Sequence, residues 1–194
     1  MAKGGVIAAT FLMLCGSPSC QTRPDVVVHQ SENLSVVLRE LPIGYPSLPP
    51  YHHSYPLPSK EVFIVLDSLK YDAGSVIPFS SGHPRRVFSK HQAEVLAHEL
   101  SKGLSQATAG TVVAFAIADE EKPDRRTKGF AFVMRDELHL IIEELRKPRY
   151  EGEPKSYQQN LSRWELLPGD RQRHYTTRPG GKGVVTNWII TPLQ

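Results

Sequence analysis

Cysteine is nearly absent from this chain. Its 194 residues include only two, Cys15 and Cys20, and both lie within the first 20 residues. If that segment is a leader that is removed, no intramolecular disulfide can form in the rest of the chain, and stability has to come from packing. If the segment is retained, a disulfide between Cys15 and Cys20 is the alternative.

The chain also lacks an apolar run of the roughly 20 residues that a membrane-spanning helix needs. The run from Gly5 to Leu14 has about ten residues and follows Lys3. Small residues come next, namely Gly16, Ser17 and Ser19. A positive charge, a short apolar run and small residues, in this order, are typical of an export signal.

The end of this leader is similar to a bacterial lipoprotein signal, in which the cysteine after the cleavage site is acylated. Cys20 follows the small residue Ser19, whereas Cys15 follows a bulky leucine. The pattern departs from the usual one in having a serine, not an aliphatic residue, three positions before Cys20. We predict a signal peptide over residues 1–19 and lipidation of Cys20. Processing at Cys15, plain cleavage and a retained apolar N-terminus remain alternatives.

A diacylated cysteine would hold the protein stably on a membrane through acyl chains such as palmitate, because several chains exceed the marginal hold of one. Gln21 follows Cys20, and it is not the aspartate that retains many lipoproteins in the inner membrane. The expected location is therefore the bacterial cell envelope, at the outer membrane facing the periplasm.

The chain has no large excess of charge of either sign. Its 23 basic and 20 acidic residues give a formal net charge of +3, so no concentrated basic face indicates nucleic acid as a partner. Three basic doublets do fall in or beside predicted loops, and guanidinium groups that cluster can bind phosphate or carboxylate. The candidates for an anionic glycan or lipid are Arg85, Arg86, Arg125, Arg126, Arg171 and Arg173. The alternative is solvated loop charge.

Proline, in contrast, is abundant and concentrated. Six of the 16 prolines lie within residues 41–58, a segment that we call the strap. Prolines favour extended backbone, so the strap is expected to be polyproline-like and to carry Tyr45, Tyr51 and Tyr55. It could dock a partner, but we favour a spacer that lies along its own domain, with its tyrosines covering apolar surface.

Two helices are predicted after the strap. Residues 59–71 contain apolar residues at helical spacing, although the run from Val62 to Val65 would also suit a buried strand. In residues 89–108, Ser89 is a plausible N-cap. One apolar stripe follows it, formed by Ala93, Leu96, Ala97, Leu100, Leu104 and Ala107.

The remainder is predicted to be mainly β. Residues 111–119 form an apolar run, and residues 127–145 suit two strands around a tight turn at Arg135–Glu137. In the first of these strands, alternation places Phe130, Phe132 and Met134 on one face and Ala131 and Val133 on the other. A loop is expected over residues 147–162, followed by short strands at 163–170, 172–178 and 183–192. The fold class is thus α+β, with two helices packed on a mainly antiparallel sheet. The domain limits are residues 59–194, after a lipid-anchored segment and proline-rich linker over residues 20–58.

The order of these segments resembles a group of uncharacterised bacterial lipoproteins. The features that carry the resemblance are the leader cysteine, the helix that closes on Ala107-Thr108, and the strands that follow immediately, over about Tyr55 to Leu145. The resemblance implies compartment and architecture, and it implies no activity.

Sequence signatures of catalysis are missing. His91 and His98 are seven residues apart, about 10 Å along a helix, which is too far to chelate one metal ion. The pair His52-His53 is expected to be exposed, and His139 to be as replaceable as the helix histidines. The segment PGGKG lacks the Ser/Thr of a phosphate loop, and no Gly-x-Ser-x-Gly elbow occurs. We expect no metal and no cofactor.

The leading hypothesis is therefore an exported envelope lipoprotein with a non-enzymatic structural or assembly role and an envelope protein as partner. A binding module for an anionic glycan or lipid is the first alternative, in which Trp164 or Trp188 could stack on a sugar, although Trp188 suits the core better. An envelope hydrolase is the second alternative. An exposed tryptophan among clustered arginines would favour binding, and a cleft joining a histidine to carboxylates would favour hydrolysis.

Overall fold

The computed structural model describes residues 24–46, 48, 50–74, 83–148 and 164–193. The expected leader and Cys20 lie outside this part of the chain, as do residues 149–162 of the expected loop. The helices are α1 (Ser59–Ser68) and α2 (Lys90–Gln106). The strands are β1 (Val26–Gln30), β2 (Leu34–Arg39), β3 (Lys70–Asp72), β4 (Arg85–Arg86), β5 (Val112–Ala118), β6 (Arg125–Met134), β7 (Glu137–Pro148), β8 (Glu165–Leu167), β9 (Arg173–Arg178) and β10 (Lys182–Pro192).

Seven strands form one antiparallel sheet in the order β1-β2-β5-β6-β7-β10-β9, and three short strands form a second sheet in the order β4-β3-β8. The predicted α+β class, with two helices on a mainly antiparallel sheet, is confirmed, and the protein is richer in β structure than in helix. None of the described helices is long and apolar enough to cross a membrane.

One face of the large sheet, which we call the helix face, packs against α1, α2 and the small sheet. The predicted stripe of α2 is buried in this core, and Ser89 caps the helix by accepting a hydrogen bond from the Gln92 amide at 3.0 Å. The helix comes very close to β5 at Gly103, where a Cβ atom would lie 2.7 Å from Val113 Cγ1. A side chain at this position would therefore push the helix away from the sheet.

The opposite face of the sheet, the strap face, has its own smaller apolar core. The alternation predicted for β6 is confirmed, because Phe130 and Phe132 point to the strap face while Ala131 and Val133 point to the helix face. The strap covers the strap face with Tyr45 and Tyr51, and its later residue Tyr55 packs against the core of the helix face. The strap therefore lies along its own domain, as predicted.

The structure differs from the sequence-based limits in three places. The expected linker over residues 20–58 contains β1 and β2, which belong to the large sheet, so the ordered fold begins before residue 59. The predicted helix over residues 59–71 ends at Ser68, because residues 70–72 pair with β4 and β8 as strand β3. The loop expected from residue 147 begins later, since β7 continues to Pro148.

Candidate functional site

The arginines predicted to bind an anion lie in two separate places. Arg146 connects the first two doublets: its guanidinium donates to the Arg86 carbonyl at 3.5 Å and lies 3.2 Å from the Asp119 carboxylate. The backbone amide of Asp119 in turn donates to the Arg125 carbonyl at 2.9 Å. We call Arg85, Arg86, Arg125, Arg126 and Arg146 the basic cluster. Arg146 is not part of a doublet, so the sequence pattern does not indicate it.

The third doublet does not join this cluster. Arg173 pairs with Glu137 at 2.8 Å, at the start of β7, whereas Arg146 is nine residues further along the same strand. At about 3.3 Å per residue this separation is about 30 Å. Arg171, two residues before Arg173, is also exposed. The six predicted residues therefore do not form one anion site.

Charge in the basic cluster is only partly compensated. Arg86 pairs with Asp67, and Arg146 pairs with Asp119. Within the described residues, Arg85 and Arg125 make no ion pair, and Arg126 donates to the Glu32 carbonyl at 2.8 Å. The Nε atoms of Arg125 and Arg126 are buried and have no hydrogen-bond partner in that part of the chain. An oxyanion cannot reach a buried Nε atom, so only the terminal guanidinium nitrogens of these arginines could bind one.

Two shallow grooves lie on the surface of the described residues. The first, of about 430 Å³, runs between the end of the strap and α2, and its lining includes His98, Ser101 and Lys102. The second, of about 390 Å³, lies along the start of the strap and includes Glu40. The first groove has no carboxylate and the second no histidine, so neither has the arrangement that would favour hydrolysis.

Glu99 on α2 lies near three ionisable side chains outside the basic cluster. One of its carboxylate oxygens lies 3.5 Å from His29 on β1 and 4.0 Å from His98, and the other lies 3.8 Å from Lys102. Within the described residues, no three His, Cys, Asp or Glu side chains are arranged to hold a metal ion. The contacts join α2 to the edge strand of the sheet.

An aromatic cluster lies on the strap face where β6, β7, β9 and β10 meet. We define it as Phe132, His139, Tyr175 and Trp188. The His139 ring stacks on Phe132 with ring centres 4.9 Å apart, and Tyr175 stacks on Trp188 at 3.9 Å. Trp188 Nε1 donates to His139 Nδ1 at 3.2 Å, which places the imidazole proton on Nε2. Nε2 is buried and has no hydrogen-bond partner among the described residues.

The sequence predicts that His139 is as replaceable as the helix histidines, but its surroundings differ from theirs. Only 1% of its surface is exposed, whereas His91 and His98 are exposed on α2. Burial, and then the positive charge of Arg173, lower the pKa of His139 to about 4. The alternation along β7 could have revealed this, since His139 shares its face with Ile141 and lies opposite Phe132. Trp188 is 1% exposed, as the core prediction required, and Trp164 is half-buried against the helix-face core.

His53 also differs from the expectation of an exposed pair. His52 is exposed, but His53 is half-buried and joins the strap to two strands. The Val133 amide of β6 donates to His53 Nε2 at 2.9 Å, and His53 Nδ1 lies 3.0 Å from the Thr111 carbonyl, just before β5. Since Nε2 accepts, the proton is on Nδ1, which donates to Thr111. No sequence pattern indicates these contacts, because Val133 is 80 residues away along the chain.

Comparisons with known proteins add no relative from which a role could be transferred. No family model matches the chain, and neither the comparison with curated proteins nor the comparison with solved structures gives a match.

Proposed function

We propose that this chain is an exported bacterial envelope lipoprotein, attached through acylated Cys20, with a structural or assembly role. The support from the sequence is the order of a positive charge, a short apolar run, small residues and a cysteine at the N-terminus. The proposed anchor lies only six residues before Val26, the first residue of β1, so the folded domain would sit close to the membrane surface.

The observation that carries the assembly role is the position of β1. This strand is at the edge of the large sheet, and no described strand pairs with its outer side. Val26 and Val27 are 56% and 61% exposed, and β1 contains neither lysine nor proline, which commonly protect an edge. An edge of this kind suits the addition of a strand from an envelope protein, with backbone hydrogen bonds supplying affinity.

The test is affinity purification of the tagged chain from its native envelope after mild crosslinking. We expect one protein at near-stoichiometric yield, and we expect Val27→Lys to lose it, because a charge on the exposed edge blocks strand pairing. Val184→Lys is the matched control, since Val184 is 50% exposed and lies on β10, far from β1 in the sheet order. Equal recovery with both variants would contradict a role for the β1 edge.

The basic cluster supports a second candidate, a binding module for an anionic glycan or lipid. Its carrying observation is the set of guanidinium groups without an ion pair to any described residue, at Arg85, Arg125 and Arg126. Binding to phosphatidylglycerol vesicles and to oligogalacturonate can be compared for wild type and Arg85→Ala/Arg125→Ala. Arg171→Ala is the control because that residue is exposed and outside the cluster. The candidate fails if the double variant binds both probes as wild type does.

A further inference from the structure

The second half of the strap is held by specific hydrogen bonds to β6, to α2 and to the loop between α2 and β5. The Tyr51 amide donates to the Ala109 carbonyl at 3.2 Å, and the His52 amide donates to the Val133 carbonyl at 2.9 Å. The Tyr55 amide donates to the Leu104 carbonyl at 3.0 Å. Between these bonds, both ring nitrogens of His53 are used, one toward Thr111 and one toward Val133.

The His53 contacts are possible only for the neutral ring. Nε2 has to accept the hydrogen of the Val133 amide, and a protonated imidazole has no acceptor nitrogen. Protonation would direct one N–H group at another and leave the Val133 amide without its partner. An unpaired buried donor is unfavourable, so the protonated strap has to move away from this position.

We propose that the strap is a proton-operated clasp: when His53 takes up a proton, residues 51–55 leave the ends of β5 and β6 and uncover the aromatic cluster. Tyr51 is the element that transmits this movement. The centre of its ring lies 5.7 Å from that of His53 and 4.8 Å from that of Phe132, and Phe132 stacks on His139. Removal of Tyr51 would therefore open a route for water to the aromatic cluster.

His139 makes the opening depend on a second proton. In the closed state it is buried, and its Nε2–H has no partner among the described residues. Once the strap has moved, water can reach His139, and the ring can take up a proton that the closed state excludes. Because two protons are then bound more tightly by the open state, the ratio of open to closed molecules should change by up to about 100-fold per pH unit.

The charged groups around His53 do not cancel the opening of the strap that protonation of His53 would cause. Facing His53 are His52 and Tyr51 of the strap and the carbonyls of Thr108 and Thr111, while Asp136 follows β6. Burial is the main reason that the pKa of His53 is lowered; the Thr111 and Thr108 carbonyls raise it in part, and His52 lowers it by a smaller effect. His52 Nδ1 lies 3.2 Å from the Asp136 carboxylate, a contact that favours the closed strap, but both groups are well exposed. Exposed pairs of this kind contribute little.

Near His139 the charged neighbours are Arg173 and Glu137, which pair with each other on the strap face. Arg173 disfavours a positive His139 in the closed state. Its guanidinium is about half exposed, so entry of water would weaken this repulsion by screening. The second proton is therefore taken up more readily in the open state.

Trp188 provides a probe of the clasp, because its indole donates to His139 and its ring centre lies 5.9 Å from that of Phe132, the ring that Tyr51 contacts. The chain has one other tryptophan, so Trp164→Phe leaves Trp188 as the single reporter. In this background, lowering the pH from 7.5 to 4.5 should raise the acrylamide quenching constant of Trp188 several-fold. The far-UV circular dichroism should stay unchanged over the same range.

The deciding variants are His53→Gln and His98→Gln, both made in the Trp164→Phe background. Glutamine can accept from Val133 and donate to Thr111 without taking up a proton, so His53→Gln should keep Trp188 protected to a lower pH. His98→Gln removes an exposed histidine from α2 and should titrate as its parent does. The clasp is refuted if His53→Gln has the same quenching profile as the parent, or if quenching rises only together with loss of circular dichroism.

Discussion

Stability of this protein should depend on pH through His139, and the size of the effect follows from its burial. The folded protein holds the pKa of His139 at about 4, whereas an unfolded chain has the ordinary value of 6.5. Below pH 6.5 the unfolded state therefore binds more protons than the folded state, and the free energy of unfolding falls with pH. The contribution is complete above pH 6.5 and is lost progressively toward pH 4.

The difference of about 2.5 pH units corresponds to roughly 3 kcal/mol, which is an upper limit if the strap opens and lets His139 titrate in the folded state. Urea denaturation at pH 7.5, 6.5, 5.5 and 4.5 measures this loss. In His139→Phe the decline over this range should be much smaller, because phenylalanine does not titrate and can keep the stacking with Phe132. His98→Gln, at an exposed site, should leave the decline unchanged. A decline in His139→Phe as steep as in wild type would refute the reasoning.

Three further perturbations test the core, a turn and the anchor. Leu100→Ala should lower the free energy of unfolding by roughly 2–5 kcal/mol, because Leu100 is only 1% exposed. Lys102→Ala, at a more exposed position, should leave it nearly unchanged. Equal urea midpoints for the two variants would contradict the orientation of α2. Replacing Arg135-Asp136 by Asn-Gly should stabilise the folded protein by about 1 kcal/mol, because both turn residues have positive φ (53° and 58°). An unchanged melting temperature would argue against strain at this turn. Cys20→Ser should abolish acylation, as intact-mass analysis would detect, and a wild-type protein without acyl mass would disprove the anchor.

The sequence alone predicts the type and the buried face of an element where a long segment has one clear hydrophobic period. The stripe of α2 and the alternation of β6 are intrinsic patterns, because each results from burial of one face of a regular element. The ambiguity at residues 59–71 has a physical cause as well. Val62, Val65 and Leu66 are buried by the helix, but β3 follows directly and has only three residues, which is too few to show a period.

The features missed from the sequence are those defined by distant partners. Strand β4 has only two residues, both arginines, and exists because it pairs with β3. Arg146 enters the basic cluster because β7 is long enough to bring it beside β4, and residues 147 and 148 were expected in a loop. In each case the local composition suggests exposed loop, and only the pairing of remote strands shows otherwise.

The two faces of the sheet differ in a way that explains why the strap should move separately from the rest. Among the described residues, the helix-face core joins 27 buried residues and the strap-face core has seven. Half of the partly buried apolar residues that pack against the smaller core belong to the strap, whose described residues form no helix or strand. Free energies of local opening depend on the apolar contacts and hydrogen bonds that a segment contributes. Release of residues 51–55 breaks a few such contacts, and in the helix-face core it removes only the packing of Tyr55, so it needs less free energy than global unfolding. His53 lies among those contacts. Its protonation therefore lowers the free energy of strap opening before it affects the free energy of global unfolding.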